Sequence, residues 1–361
     1  MMLIHTLPVG DPVHRYSKCI VVPFHGKRRV LSTCPLNGGY QENLTAVFNN
    51  DGNPGAGMAC TLKAPTYEEH MALIAEEIGL DPKTTAAMST AASMENVAIQ
   101  TENFDGVAVT AVVTGGIEVN GGRVGDPASW QEIKGKAEPI KQGTINIMVF
   151  FNIDLTPGAL TRALVTCTEA KTAAIQELLA PSRYSMGLAT GSGTDGTILV
   201  SNMESDICLT NAGKHSKLGE LIGKSVKAAV KAALNKQSGL CPQRQHQVLK
   251  RVDRFGITED SLWEEYAGQE HSLTRADFAE EMYQLSNRGE MVAAVSLYAH
   301  LLDQLMWDML TPAEAHQMGT KLLGIMKKEH LTEQDVSDTK EEVLSQMILE
   351  LKQTLNSMIP A

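Results

Sequence analysis

The sequence predicts an α+β or α/β fold: a mixed-sheet N-terminal domain with packed helices, followed by an all-helical C-terminal region. Three observations predict it. Short β-type runs alternate with long helical periods as far as about Cys241. Strand signals then fade, and helical periodicity dominates from about Gln243 onward. The charge changes there too: residues 251–361 carry 9 Lys+Arg against 20 Asp+Glu, whereas the first 250 carry 22 of each. A boundary near Leu240 follows, giving domains over 1–240 and 241–361. The 361 residues, 43% of them hydrophobic, are enough for two or three domains with sizeable cores.

Each element has a local reason. Lys18–Pro23 and Arg29–Cys34 are apolar runs around His25-Gly26-Lys27, which is a hairpin signal. Leu44–Phe48 reads as a third strand. Thr66–Ile78 has a helical period with Gly79 as its stop. Val97–Thr101 and Val107–Val113 read as strands, and Gly115-Gly116 ends the second. Asn120–Gln142 is rich in glycine, proline and charge and reads as a surface excursion. A buried-type strand follows over Thr144–Ile153. Thr156-Pro157 opens a helix, with a capping hydroxyl and a proline at the first helical position, running to about Leu179. Lys217–Asn235 is amphipathic, with Leu218, Leu221, Ile222, Val226, Ala229 and Ala233 on one side and Lys224, Lys227 and Lys231 on the other. In the tail, Phe278–Leu285, Met291–Met306 and Val343–Leu355 are helical.

Several function classes are disfavoured. The longest strongly apolar run, Ile145–Ile153, is broken by Asn146 and Asn152 and is far short of the ~20 residues of a membrane span. The N-terminus lacks a basic start and a cleavage pattern, so no signal peptide is expected. Cys19, Cys34, Cys60, Cys167, Cys208 and Cys241 stand singly, which suits reduced thiols in a cytoplasm rather than disulfides or a zinc knuckle. No metal-ligand spacing, P-loop or nucleophile elbow is present. The net charge of −11 gives no basic footprint for nucleic acid and no draw toward an anionic membrane. No cofactor is expected.

The stretch Gly187-Leu-Ala-Thr-Gly-Ser-Gly-Thr-Asp-Gly196 is the richest in chemical potential. Glycines let the main chain approach a ligand closely, and Asp195 is its one carboxylate. Gly191-x-Gly193-x-x-Gly196 formally matches a dinucleotide fingerprint, but that fingerprint needs a strand before it and a helix after it, the reverse of the order here. The backbone amides could still form an anion nest, or the loop could be a tight surface turn. On the preceding helix, Leu160, Ala163, Leu164, Cys167, Ala170, Ala174 and Leu178 share a face, and Lys171 falls within it. Desolvating an ammonium costs several kcal/mol, so Lys171 either reaches past the helix to water or meets an acid. The acid could be a structural partner, or Asp195 at a site. Thr168 lies at the edge of this face and Glu169 points elsewhere. Small polar residues join glycines at Asn37-Gly38-Gly39, Thr114-Gly115-Gly116 and Gly143-Thr144-Ile145-Asn146, suggesting loops that converge at one sheet edge. His215 stands just before a helix, as a cap, a surface residue or a site residue.

The order of the motifs goes further. Leu36-Asn-Gly-Gly39, Val113-Thr-Gly-Gly116, Gly143-Thr-Ile-Asn146, Thr168-Glu-Ala-Lys-Thr-Ala-Ala174, Ala189-Thr-Gly-Ser-Gly-Thr-Asp195 and Ala212-Gly-Lys-His-Ser-Lys-Leu-Gly219 occur in sequence. Together they resemble the adenosylcobinamide amidohydrolase family of corrinoid salvage, over roughly residues 15–236. Ser192 is a mild departure from the usual glycine-threonine pattern. The resemblance implies hydrolysis of the aminopropanol amide of adenosylcobinamide to adenosylcobyric acid and aminopropanol, with the corrinoid as substrate. Amide hydrolysis needs a nucleophile, oxyanion stabilisation and an acid for the leaving amine. Asp195 or Glu169 would activate water, Lys171 and loop amides would stabilise the oxyanion, and His215 would protonate the amine. A rival scheme makes Thr144, Thr168 or Thr194 a covalent nucleophile activated by Lys171. Asn37, Gly38, Gly39, Thr114, Gly115, Gly116, Asn146, Thr168, Thr190, Gly191, Gly193 and Thr194 would line the substrate site.

The alternatives are a corrinoid-binding or carrier protein without hydrolysis, and a hydrolase of another amide. The helical tail lies outside the resemblance. It reads as a module for homo-oligomerisation or a protein partner, or as a lid.

Overall fold

The computed structural model describes residues 1–53, 55, 62–128, 130–131, 136–137, 143–268, 273–329 and 339–360. Cys60 and much of the 120–142 excursion lie outside them. The chain divides into two compact units, Met1–Cys241 and Pro242–Ala361.

Two sheets form the first unit. One contains β1 (Met2–Thr6), β2 (Pro12–Tyr16), β3 (Cys19–Pro23), β6 (Ala46–Asp51) and β7 (Thr85–Thr90), in that order across the sheet. The other runs β5 (Gly39–Gln41), β4 (Arg28–Ser32), β16 (Gly196–Asn202), β13 (Thr144–Phe151), β9 (Val107–Gly116), β8 (Ala98–Phe104). Within these two sheets the pairs β6–β7 and β13–β16 are parallel and the others antiparallel. Three two-stranded ribbons complete the β structure: β10 (Gly121–Gly122) with β15 (Gly191–Ser192), β11 (Trp130–Gln131) with β12 (Lys136–Ala137), and β14 (Asp154–Leu155) with β17 (Cys208–Leu209).

The sheets stack within four layers. Ile20, Val22, Val47 and Met88 of the first sheet meet Val30, Val112, Met148 and Ile198 of the second in one apolar cluster. The outer face of the first sheet, with Val21, Phe48 and Ala87, is covered by α1 (Tyr67–Glu77) through Met71 and Ile74. The outer face of the second, with Ile145, Ile147 and Val149, is covered by α2 (Pro157–Glu177) and α3 (Lys217–Ser238). This explains why all eight residues of β13 are buried: successive side chains enter different cores. Local signals set the helix ends. Thr66 forms a capping box with Glu69 on α1, and Gly79 follows that helix at φ +83°. Thr156 caps α2 ahead of Pro157, and Ser216 caps α3.

The hairpin expected around His25-Gly26-Lys27 does not form. Its arms β3 and β4 belong to different sheets, and the turn carries the chain from one to the other. Asp11, fully buried, pins this corner. It accepts bonds of 2.9 Å from the His25 backbone N–H and from two nitrogens of Arg28, whose side chain is only 3% exposed. Asn202 accepts a third bond from Arg28. Such contacts between distant residues outweigh the local turn signal. β1, β2 and β7 also escape the sequence reading.

The second unit contains α4 (Val248–Val252), α5 (Glu259–Ala267), α6 (Arg275–Ser286), α7 (Gly289–Met306), α8 (Pro312–Lys327) and α9 (Lys340–Ser357) around its own apolar core. Among its described residues there is no strand. Arg254 and Asp303 form a buried two-pronged ion pair within it, at 2.6 and 2.7 Å. Among the described residues no helix is long and apolar enough to cross a membrane.

The Asp11–Arg28 corner can be tested. Replacing one partner of a buried pair leaves an uncompensated charge, which costs about 3–5 kcal/mol. Arg28→Met should lower unfolding stability by roughly that amount in a urea titration. A loss below about 1 kcal/mol would show that the corner is held by other contacts.

Candidate active site

Asp195 ends the glycine loop, immediately before β16. Lys171 projects from α2, and its Nζ donates to Asp195 Oδ2. The two side chains are 13% and 11% exposed. Asp195 also receives the backbone N–H of Ile145 at 2.9 Å, the Ser192 N–H at 3.1 Å and the Ser192 hydroxyl at 2.7 Å. Four donors thus compensate a partly desolvated anion. They tie together α2, the start of β13 and the loop. The loop must be glycine at position 191: a Cβ there would stand 2.3 Å from Asp195 Oδ2 and 2.7 Å from Lys171 Nζ.

A polar floor lies beneath. Asn146 on β13 donates to Asn49 Oδ1 on β6 at 2.8 Å and to the Ser89 carbonyl at 3.0 Å, and its Oδ1 accepts from Gly196 N–H at 3.2 Å. Asn49 in turn donates to the Thr114 hydroxyl at 2.7 Å. This chain crosses between the sheets. Thr144 Oγ1 donates to the Thr194 carbonyl at 2.6 Å, and Thr194 Oγ1 to the Gly143 carbonyl at 2.9 Å.

Two clefts meet at the loop. The first, of about 340 Å³, is lined by Thr144, Asn146, Thr194, Asp195 and Gly196 on one side and by Tyr67, His70, Met88, Ser89 and Cys34 among others. The second, of about 660 Å³, is lined by Thr168, Lys171, Thr190, Gly191 and Gly193 together with Arg123, Asp126 and Tyr184. The charged pair spans the wall between them.

The remaining expected site residues lie elsewhere. Glu169 and His215 line a third pocket, with Arg162 and Lys214. Glu169 pairs there with Lys214 at 3.1 Å. The reason is helical geometry: residues two apart on a helix point about 200° apart, so Glu169 and Lys171 leave α2 on opposite sides. The sequence grouped Asp195, Lys171, Glu169 and His215 in one site; the fold separates the last two. Asn37, Gly38, Gly39, Thr114, Gly115 and Gly116 line none of the three pockets. Asn37 instead donates to the carbonyls of Pro82 and Thr85 at 2.7 and 2.8 Å, fixing the β4–β5 turn. Gly115 and Gly116 pack against Ile145 and Gln237.

These clefts are built within the stretch that known proteins share. The sequence profile named "Adenosylcobinamide amidohydrolase" matches residues 4–242. The chain belongs to the adenosylcobinamide amidohydrolase family. An uncharacterized protein of Methanocaldococcus jannaschii, MJ1613, is 34% identical over 244 residues, covering 64% of this chain and 91% of that protein. Among solved structures, the PH0078 protein from Pyrococcus horikoshii OT3 aligns at 14% identity, over 71% of this chain and 90% of that one, with a TM-score of only 0.32. The family match stops where the second unit begins.

Within the family domain, sequence reasoning missed Tyr67, His70, Ser89 and Cys34. His70 is buried on α1, and its Nδ1 accepts the Lys63 backbone N–H at 3.1 Å. Burial, then the Lys63 charge, lowers its pKa, which favours the neutral ring. Burial pushes the Cys34 thiol up, keeping it protonated and weakly nucleophilic. Helical spacing places His70 with the apolar residues of α1, and nothing local marks it as a cleft residue. Among the described residues no group of three or more His, Cys, Asp and Glu is placed to hold a metal ion.

The close approach at position 191 gives a direct contrast. Gly191→Ala should cost about 1–3 kcal/mol through overpacking on the ion pair. Gly193→Ala, whose Cβ would meet nothing within 4 Å, should be nearly silent. Thermal unfolding of the two variants checks this, and equal melting temperatures would count against the close approach.

Proposed function

We propose that this chain hydrolyses the aminopropanol amide of adenosylcobinamide, giving adenosylcobyric acid and aminopropanol. The observation that carries the reading is the Lys171–Asp195 pair, set at the wall of two clefts inside the domain matched by the family. The corrinoid is the substrate. A cleft of about 340 Å³ admits the propionate–aminopropanol arm but not the macrocycle, so the ring rests at its mouth.

Water attacks the amide carbon, the C–N bond breaks, and the amine leaves with a proton. Asp195 is the one carboxylate among the described residues lining the smaller cleft, which makes it the acceptor for the water's proton. Its lone pairs are already shared among four donors, so the rotatable Ser192 hydroxyl gives its place to water before attack. Lys171 faces the other cleft, and its task becomes fixing the carboxylate rather than binding the oxyanion. Glu169 and His215, across α2, have no part in this scheme. The covalent scheme is less well supported: the protons of Thr144 and Thr194 are given to backbone carbonyls, and Thr168 donates to Leu164 O at 2.9 Å, so none faces a base.

Purified protein incubated with adenosylcobinamide should release free aminopropanol, measured by amine derivatisation and chromatography. Binding without release would point to a carrier instead. Asp195→Asn should lower kcat by about 10²–10⁴-fold with the fold retained. Thr144→Ala should stay within about tenfold of the parent; a loss as large as that of Asp195→Asn would revive the threonine nucleophile.

A further inference from the structure

We propose that His70 donates its Nε2–H to the carbonyl oxygen of the scissile amide and is thus a catalytic residue of the smaller cleft. The inference rests on the hydrolase reading above and adds to it the group that receives the developing negative charge. Amide hydrolysis places that charge on the carbonyl oxygen, and a donor preset at that position lowers the barrier. Lys171 was the obvious candidate from the sequence, but its ammonium is engaged by Asp195 and lines the other cleft. The smaller cleft therefore needs a donor of its own, on a wall distinct from the loop that carries Asp195.

His70 meets the requirement by position and by tautomer. It projects from α1 on the far side of the first sheet, is 6% exposed, and lines the same cleft as Thr144, Thr194 and Asp195. The Lys63 backbone N–H donates to Nδ1 at 3.1 Å, so Nδ1 holds no proton and the neutral ring carries its hydrogen on Nε2. Among the described residues the one side-chain hydrogen bond of His70 is that at Nδ1, and the ring lines the cleft, which leaves Nε2 open to a ligand there. Burial favours the neutral ring. Neutrality matters here. An imidazolium across the cleft from the Asp195 carboxylate would be drawn into an ion pair, filling the space where the amide must lie. A neutral N–H polarises the carbonyl without competing for that anion. No bond to His70 is made or broken: the hydrogen bond strengthens as the tetrahedral oxyanion forms and relaxes as it collapses.

The test compares wild type, His70→Phe and His70→Gln with adenosylcobinamide, reading kcat and KM separately. Loss of one oxyanion donor costs about 10²–10³-fold, so His70→Phe should lose that much in kcat with KM changed little. His70→Gln, which restores an N–H donor of similar reach, should recover about tenfold or more of the loss. A folded His70→Phe with wild-type kcat, or a folded His70→Gln no better than His70→Phe, overturns the proposal. ¹⁵N-histidine NMR of the wild type reads the tautomer without any variant: a proton on Nε2 alone is expected at pH 7, and a proton on Nδ1 overturns it. If wild-type protein releases no aminopropanol, the hydrolase reading falls and this role with it. If wild type turns over and only the His70 comparison fails, the hydrolase reading stands.

Discussion

A carboxylate withdrawn from water has to be surrounded by donors, and at Asp195 this requirement draws a helix, a strand and a loop together. Its partners come from α2, from the start of β13 and from its own loop. Each supplies a charge or an N–H that would itself be costly to bury alone. The loop cannot move without exposing the anion, nor can Lys171 turn away without stranding its ammonium. Two groups that would be unfavourable separately define one rigid wall, and both clefts take their shape from it.

The wall stands at one end of a two-sheet stack, which explains why polar side chains are tolerated there. Along β13 the residues facing the first sheet change from Phe150 and Met148 to Asn146 as the strand approaches the loop. Asn146 and Asn49 satisfy one another across the gap between sheets, with Thr114 and the Ser89 carbonyl completing the network. A buried amide with all its partners specifies register, since a shift of one residue would leave every member unpaired. The apolar stack thus gives way to a hydrogen-bonded floor that supports the smaller cleft without collapsing into it.

The second unit is a different kind of object. Its helices close around their own core, with Tyr298 donating to the Met347 carbonyl and Arg254 gripping Asp303. It lies outside the family match, and the excess acidic charge of the chain belongs to it. We propose that it mediates association with a second copy or another protein, a role in keeping with its independent core.

Much of the fold was legible because its signals are local. Thr156-Pro157, Thr66 with Glu69, and Gly79 start or stop helices through atoms a few residues away, and the apolar stripe of α2 announced that Lys171 must either reach water or meet an acid. The ordered motifs carried the family. What the sequence could not decide was which strand joins which sheet, and which groups share a cavity. A hairpin signal at His25-Gly26-Lys27 became a crossover because Asp11 holds Arg28 from a distance. Glycine corners at Asn37 and Gly115 proved to be packing points. Glu169 and Lys171, neighbours in the chain, face opposite ways, while His70 and Asp195 reach one cleft from opposite layers. Local patterns fix the elements because capping and periodicity act over a few ångströms of chain. The site is a long-range property, set by where desolvated charges and buried amides find partners once the layers close.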